Sequence, residues 1–305
     1  MIELRDIGKE FPGVRALGGV SLSIGRGEVL GLVGENGAGK STLIKILGGA
    51  YTSGEFEGEI VVNGRVRSFR STRDARAAGI AVVHQELSLV PEMSVTDNLL
   101  LGKEVVRWGV VDGAASEARA RAILVRAAGA EVAGMIDVSE PAGRLGVGMQ
   151  QVVEIARALG DEREGQRGGE AAALVVLDEP TAALSAAEAQ QLFEVVRQRK
   201  AGGASFVFIS HHLDEVMTVC DRVAVLRDGK LVAVRGIGEV TRDGIVELMT
   251  GAETETETKT ETETETFQVK DKVKGGVQVQ VQVQVNDQVN DQVKVEVEVK
   301  VPVLA

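Results

Sequence analysis

The chain has 305 residues, of which 44% are hydrophobic, and a formal net charge of −11. A chain of this length can form one large or two modest domains with a buried core. The acidic balance argues against nonspecific nucleic-acid binding, and Cys220, the single cysteine, leaves no internal disulfide or cysteine-based metal site and suits a reducing compartment.

As far as about Gly251, β-rich runs alternate with amphipathic helical runs and glycine turns, which predicts a mostly parallel sheet covered by helices. Residues 28–34 (EVLGLVG) predict a buried strand, and residues 40–50 (KSTLIKILGGA) predict a helix with its apolar residues on one face.

The segment between these two elements, GENGAGKST at residues 34–42, fits the phosphate-loop pattern and has the required strand-loop-helix context. Its glycines let backbone N–H groups wrap a β-phosphate, Lys40 reaches the β- and γ-phosphates, and Ser41 ligates Mg²⁺. The predicted phosphate-binding residues are Gly34, Glu35, Asn36, Gly37, Ala38, Gly39, Lys40, Ser41 and Thr42.

Glycines also precede a second helical pattern, in RLGVGMQQVVEIARAL at residues 144–159. Gly146 and Gly148 stand directly before apolar residues at helical spacing. One interpretation is an anion site on the exposed N–H groups of a helix start, and the other is a flexible turn before an ordinary helix. The stretch by itself leaves both open.

Residues 161–170 (DEREGQRGGE) predict a charged surface loop, and residues 173–180 (ALVVLDEP) predict a buried strand ended by Pro180. A carboxylate at the C-terminal end of such a strand lies beside the phosphate loop of a parallel sheet. We therefore expect Asp178 to hold Mg²⁺ and Glu179 to face the attacking water.

Two more elements follow this strand. Ser185 and Glu188 have the spacing of a capping box, which predicts a helix that begins there and ends near Gly202. Residues 204–210 (ASFVFIS) predict a third buried strand.

The composition changes abruptly after Gly251. Residues 253–267 repeat glutamate and threonine and are too polar to bury a core, so we expect disorder there. Residues 279–301 alternate valine with polar residues at strand period, which favours a paired strand or ribbon, or an exposed aggregation-prone edge. We expect the tail to be dispensable for catalysis, because it offers neither ligands nor a packed pocket.

Five motifs now stand in one order: the phosphate loop at 34–42, Gln85 in AVVHQE, the signature segment at 145–151, LDEP at 177–180, and His211 in FISHHLDEV. In these motifs the chain resembles an ABC transporter ATP-binding subunit. The resemblance extends from residue 1 to about residue 251.

The resemblance implies an α/β fold: a P-loop NTPase (RecA-like) core with a mostly parallel sheet, an antiparallel β subdomain and an α-helical signature subdomain. It implies an ABC ATPase domain at residues 1–251. Residues 252–305 then form a low-complexity tail that is disordered or loosely β.

The resemblance also implies roles for single residues. Gln85 is similar to the residue that touches the metal and the attacking water and senses the membrane partner. His211 is similar to the switch histidine that contacts the γ-phosphate, and Phe11 stands where an aromatic ring stacks on adenine. The implied catalytic residues are Glu179, His211, Gln85 and Lys40, and the implied metal ligands are Ser41, Asp178 and Gln85.

In this family the signature helix caps the γ-phosphate bound to the opposite ATPase domain, which implies that Gly146, Val147 and Gly148 contact a partner's ATP. The chain departs from the family pattern at Gly146, where serine is usual. A hydrogen bond to a charged group contributes about 1.5 to 3 kcal/mol. We therefore expect a slow ATPase rather than an inactive one.

Residues 79–102 and 149–159 are similar to the ribose, xylose and galactose branch of importers, as are FPGVRAL at 11–17 and PTAALS at 180–185. This branch implies ATP and Mg²⁺ as cofactors. The implied partners are a transmembrane permease, a second ATPase domain from the same or another chain, and indirectly a sugar-binding protein, with no nucleic acid.

No apolar run reaches the ~18 residues that a spanning helix needs, and MIELRDIGKEF does not resemble a signal peptide. We expect a peripheral protein on the cytoplasmic face of a membrane. Two alternatives remain open: a non-transport ABC ATPase acting on DNA or ribosomes, and a weakly active ATP-binding remnant.

Overall fold

The computed structural model describes residues 1–160, 174–251, 280–285 and 295–300. Its strands are β1 (Ile2–Phe11), β2 (Val14–Ile24), β3 (Val29–Val33), β4 (Glu57–Val62), β5 (Arg65–Arg67), β6 (Ile80–Val83), β7 (Val106–Arg107), β8 (Val110–Val111), β9 (Leu174–Asp178), β10 (Ser205–Ile209), β11 (Arg222–Arg227), β12 (Lys230–Gly236), β13 (Gln280–Val285) and β14 (Val295–Lys300). The chain divides into two compact units, Met1–Gly251 and Ala252–Ala305.

Helices connect these strands. They are α1 (Lys40–Leu47), α2 (Thr72–Ala77), α3 (Val95–Leu100), α4 (Gly113–Gly134), α5 (Val147–Leu159), α6 (Ala186–Ala201), α7 (Leu213–Val219) and α8 (Arg242–Thr250), with short 3₁₀ turns at Ala142–Arg144 and Ile237–Glu239. None of the helices in the described ranges combines the length and apolarity that crossing a bilayer requires.

The first unit is built on a six-stranded sheet with the strand order β12-β11-β3-β10-β9-β6. All neighbouring pairs are parallel except β11 with β12. Both faces of the sheet are covered, because alternate side chains of β3 enter two different cores: Val29 and Val33 lie in one, and Leu30 and Leu32 in the other.

Helices α5 and α6 contribute to one of these cores, through residues such as Ile155 and Phe193. Helix α1 and an antiparallel sheet with the order β2-β1-β4-β5 contribute to the other core, through residues such as Ile46 and Leu4. Helices α3, α4 and α5 pack on one another, and Gly129, with φ of 81°, interrupts α4. The expected combination of a mostly parallel core, an antiparallel subdomain and a helical subdomain is confirmed.

The local patterns place several element boundaries correctly. The capping box before α6 is formed in both directions: Ser185 Oγ accepts from the Glu188 backbone N–H, and a Glu188 carboxylate oxygen accepts from the Ser185 backbone N–H at 2.9 Å. The predicted start of α6 at Ser185 and its predicted end near Gly202 are therefore confirmed.

In the second unit, β13 and β14 form a two-stranded antiparallel ribbon in which Gln280 pairs with Lys300 and Val285 with Val295. This is the ribbon arrangement that the valine alternation favours. The predicted surface loop at 161–170 and the expected disorder at 253–267 lie outside the described residues.

Candidate nucleotide-binding site

The predicted phosphate loop runs from the end of β3 to the start of α1. Gly39 is the N-cap of α1 and has φ of 103°, and no side chain caps this helix. A Cβ atom at Gly34 would lie 2.3 Å from the Leu226 carbonyl oxygen, and one at Gly39 would lie 2.7 Å from the Ala16 carbonyl oxygen. Glycine is therefore required at both positions, and the first N–H groups of α1 remain available to an anion.

Lys40 folds back over this loop. Its ammonium group donates to the carbonyl oxygens of Gly34, at 2.6 Å, and Glu35, at 3.1 Å. Burial lowers the pKa of Lys40, while the negative charges of Glu179 and Asp178 act to raise it. The lysine therefore lies within electrostatic reach of both carboxylates that the sequence singles out.

The sheet register brings the other predicted residues to the same edge. In the parallel ladders Val83 pairs with Leu177, and Asp178 with Ile209, so β6, β9 and β10 end side by side. Exposed Gln85 follows β6, and exposed His211 follows β10. Residues that are far apart in the sequence thus follow strands that end side by side at one edge of the sheet.

Glu179 has an unusual backbone conformation directly after β9. Its φ is +47°, in the left-handed region, and its N–H donates to the carbonyl oxygen of Ile209 at 3.0 Å. A non-glycine residue held in that region costs about 1 to 3 kcal/mol, and such strain concentrates at functional sites. The conformation holds the Glu179 carboxylate 3.4 Å from Nδ1 of His211.

A hydrogen-bond network behind this pair fixes the loop that carries His211. Glu215 Oε2 accepts from the hydroxyls of Thr181, at 2.8 Å, and Ser210, at 2.6 Å. The Ser210 hydroxyl in turn accepts from the backbone N–H of His212. The loops after β9 and β10 are therefore joined to each other through Glu215.

Asp178 is suited to a divalent cation. Burial and the negative charge of Glu179 raise the pKa of Asp178, whereas His84 and Lys40 act to lower it. Two adjacent carboxylates at a half-buried strand end favour a bound cation, and the Ser41 hydroxyl and Gln85 amide add oxygen donors of the type that Mg²⁺ prefers. The predicted metal ligands thus fit magnesium chemically.

The proposed adenine-stacking residue, Phe11, ends β1 and is partly buried. Its ring packs edge to face with Tyr51 at a centroid distance of 5.8 Å. The Lys9 ammonium lies 5.1 Å from the centroid of the Phe11 ring and 4.9 Å from that of the Tyr51 ring. These contacts orient Phe11 from one side, and its role in adenine stacking stays a prediction.

The signature segment begins α5 as the pattern predicts. Gly146 is its N-cap and has no side chain with which to cap the helix, and Val147 is exposed. The structure adds a contact that the sequence did not reveal, because the backbone N–H of Gly148 donates to Oε1 of Glu188 at 3.2 Å. Only the capping-box spacing marked Glu188, and that spacing says nothing about α5.

The sequence also did not reveal a set of polar contacts between α5 and the segment at residues 84–88, which follows β6 and is called the Gln85 loop. Glu154, with a side chain 6% exposed, accepts from the N–H and the hydroxyl of Ser88 at 2.5 and 2.7 Å and pairs with Arg157 at 2.8 Å. Arg157 also donates to the Ser88 carbonyl oxygen. The segment that follows Gln85 is therefore fastened to the signature helix by hydrogen bonds between Ser88 and two charged residues of α5, Glu154 and Arg157.

Replacing Glu154 with alanine is expected to destabilise the protein by about 3 kcal/mol, because it leaves the Arg157 charge and the Ser88 N–H without their partner. Urea unfolding of the full chain measures this change. The exposed Arg144–Glu140 pair supplies the control, since E140A should cost only a small part of that amount. Equal losses in the two variants would contradict the structural role given to Glu154.

Comparisons with known proteins agree with this geometry. The profile of the family described as ABC transporter matches residues 17–182. The ribose import ATP-binding protein RbsA of Chromobacterium violaceum is 45% identical over 252 residues, which are 83% of this chain and 47% of that protein. The xylose import ATP-binding protein XylG of Ralstonia nicotianae is 44% identical over 254 residues, again 83% and 47%. The chain thus spans about half the length of the curated relatives it matches.

Solved structures give the same assignment. A nucleotide-free ATP-binding cassette from an ABC transporter is 28% identical with a TM-score of 0.66, and covers 81% of this chain and 98% of its own. An ATP-binding cassette of an ABC transporter in its ADP conformation is 29% identical with a TM-score of 0.67, covering 82% and 98%. The resemblance found in the motifs is confirmed, and the chain belongs to the ABC transporter family.

Proposed function

We propose that the chain binds and hydrolyses ATP with Mg²⁺ as a nucleotide-binding subunit of an ABC importer for a monosaccharide. The observation that supports this most is the convergence of Lys40, Asp178, Glu179 and His211 beside an uncapped helix start. The names of the relatives, ribose and xylose import ATP-binding proteins, indicate the substrate class.

In the proposed reaction, water attacks the γ-phosphate in line with the leaving β-phosphate oxygen. Glu179 orients and polarises that water, and Lys40 neutralises charge that develops on the phosphate oxygens. His211, 3.4 Å from Glu179, contacts the γ-phosphate. Magnesium, when bound, supplies further charge neutralisation on the phosphates. In this proposal Gln85, which follows β6, contacts the same water.

A complete site needs a second ATPase domain. We infer that Gly146, Val147 and Gly148 face the γ-phosphate bound to that domain, which is a second copy of this chain or a different chain. The start of α5 suits this role, because the positive end of the helix dipole lies there and residue 146 supplies no side-chain cap, although the Gly148 N–H donates to Glu188. ATP then joins the two domains head to tail.

Restoring serine at Gly146 is expected to raise the rate of ATP hydrolysis about ten- to a hundredfold, since a hydroxyl bond to a charged phosphate is worth about 1.5 to 3 kcal/mol. Gly146 has φ of −59° and ψ of 153°, and the only atom near an added Cβ is Glu188 Oε1 at 3.7 Å, so serine fits without strain. Steady-state phosphate release measures the effect.

The matched control is G113S, since Gly113 also has open space around an added Cβ but lies outside the proposed site. It should leave the rate unchanged. An unchanged rate in G146S would show that the hydroxyl is irrelevant in this chain.

The permease would dock beside the Gln85 loop. A cavity of about 210 Å³ opens there, and its lining includes Arg76, His84, Ser88 and Arg157. Docking in this cleft would act directly on the segment that Glu154 fastens to α5. The proposal places the protein peripherally on the cytoplasmic face of a membrane, where a sugar-binding protein acts on the permease from the other side.

Co-expression with a monosaccharide permease tests the transport role. The chain should be recovered with membranes only when the permease is present, and the permease should change its rate of ATP hydrolysis. Recovery with ribosomes or DNA instead would favour a non-transport role.

A further inference from the structure

The first turn of α5 is held by a carboxylate of its own chain. Glu188 Oε1 accepts from the Gly148 N–H, and Oε2 accepts from the Ser185 N–H at 2.9 Å and the Ser185 hydroxyl at 2.8 Å. The bonds from Ser185, and then that from Gly148, lower the pKa of Glu188. A fixed negative charge therefore lies at the positive end of the signature helix.

The absence of a side chain at Gly148 makes this contact possible. A Cβ atom there would lie 2.8 Å from Cγ and 2.9 Å from Cβ of Glu188, closer than packed carbon atoms approach. Gly148 lies inside α5 with an ordinary helical backbone, so the approach of Glu188, rather than the backbone conformation, requires glycine here. The packing of α6 on α5 is thus built around this carboxylate.

We propose that Glu188 restrains the ATP-driven pairing of two ATPase domains, because it occupies the N–H group that the γ-phosphate of the opposite domain needs. This inference rests on the proposed function, which takes the start of α5 as the surface that meets a partner's ATP. An N–H group donates fully to one anion at a time, so the phosphate must displace Oε1 and approach a carboxylate that Ser185 keeps in place.

Gly146 makes this restraint stronger. A serine at this position would bring a hydroxyl close to Glu188 Oε1, since the added Cβ lies 3.7 Å from that oxygen. Such a hydroxyl can donate either to the carboxylate or to an incoming phosphate. With glycine the segment has no such donor, and Glu188 competes for the Gly148 N–H unopposed. Glu188 is thus a positioning residue that acts through the signature helix.

Two substitutions separate this role from simple helix capping. E188Q keeps a residue that serves in a capping box and removes the charge. S185A removes the capping hydroxyl and leaves both the charge of Glu188 and the bond that it accepts from the backbone N–H of residue 185 at 2.9 Å. If Glu188 only stabilised α6, S185A would weaken the protein, E188Q would keep the capping box, and neither variant would promote pairing.

The experiment uses the full chain with E179Q, which should retain bound ATP, as the common background. Sedimentation velocity with ATP and Mg²⁺ measures the dissociation constant of the dimer, and equilibrium dialysis of labelled ATP at low protein concentration measures nucleotide affinity in the same samples. Addition of E188Q is expected to lower the dimer dissociation constant about tenfold or more. Addition of S185A should not lower it, and ATP affinity of the monomer should be unchanged in both.

The inference is overturned if E188Q pairs no more tightly than the background while ATP is bound, including the case in which neither forms a dimer. A failure to bind ATP in every variant would instead refute the proposed function, and the inference with it. The two failures are therefore distinguished by the dialysis measurement.

Discussion

Replacing Glu179 with glutamine is expected to lower the steady-state rate of ATP hydrolysis by roughly a hundredfold or more, while ATP affinity changes by no more than a few-fold. Glutamine keeps the size of the side chain and loses the charge that polarises water. The left-handed backbone of Glu179 and its contact with His211 hold this carboxylate in a defined position. Phosphate release and ATP dialysis, measured on the same preparation, separate hydrolysis from binding.

The control for this variant is E59Q, an exposed glutamate on β4 of the antiparallel sheet. It should hydrolyse ATP at the parent rate. If Glu179→Gln also keeps the parent rate, the measured turnover is a background and the chain is a nonhydrolytic remnant. That result would leave the fold and family intact and remove the proposed mechanism.

The second large effect is expected at Lys40, whose replacement by alanine should weaken ATP binding by roughly a hundredfold. The substitution removes the cation that contacts the loop carbonyls and lies within electrostatic reach of the two carboxylates. Without the positive charge of Lys40, the negative charges of Asp178 and Glu179 would repel the triphosphate more strongly. Equilibrium dialysis of labelled ATP measures the loss, and circular dichroism verifies folding.

Lys45 provides the matched control, since it is an exposed lysine in the last turn of the same helix. K45A should bind ATP as the parent does. Equal affinities in K40A, K45A and the parent would show that the phosphate loop of this chain is not its nucleotide site.

The fold was predictable where a local pattern had a physical cause. A side chain at Gly34 or Gly39 would collide with the Leu226 or Ala16 carbonyl group. The strand-loop-helix unit therefore requires glycines at a fixed spacing, which can be recognised in the sequence. Buried parallel strands such as β9 and β10 could also be predicted, because strands whose two faces are both covered appear in the sequence as short apolar runs.

The contacts of Glu188 and Glu154 were not predictable from the pattern. Forty residues separate Gly148 from Glu188, and 66 separate Ser88 from Glu154. Both contacts depend on how helices pack, which no local spacing encodes. The break in α4 at Gly129 has no local signal either, since a single glycine within a helical pattern does not by itself reveal a positive φ.

The site was predictable in its parts and not in its geometry. Motif spacing indicated Glu179 and His211 separately, and their 3.4 Å approach follows from the neighbouring β9 and β10 ladder. The left-handed backbone of Glu179 has no sequence signal, because nothing distinguishes a strained glutamate from an ordinary one at a strand end. The assignment of roles to these residues stays a prediction until variants are measured.

The most direct test of the account is the binding of labelled ATP to the folded full chain in the presence of Mg²⁺. We predict saturable binding of one ATP per chain with a dissociation constant below about 1 mM, in the range typical of enzyme substrates. Folded protein that retains no labelled ATP at concentrations of several millimolar would contradict the central claim that a triphosphate lies against the loop before Lys40.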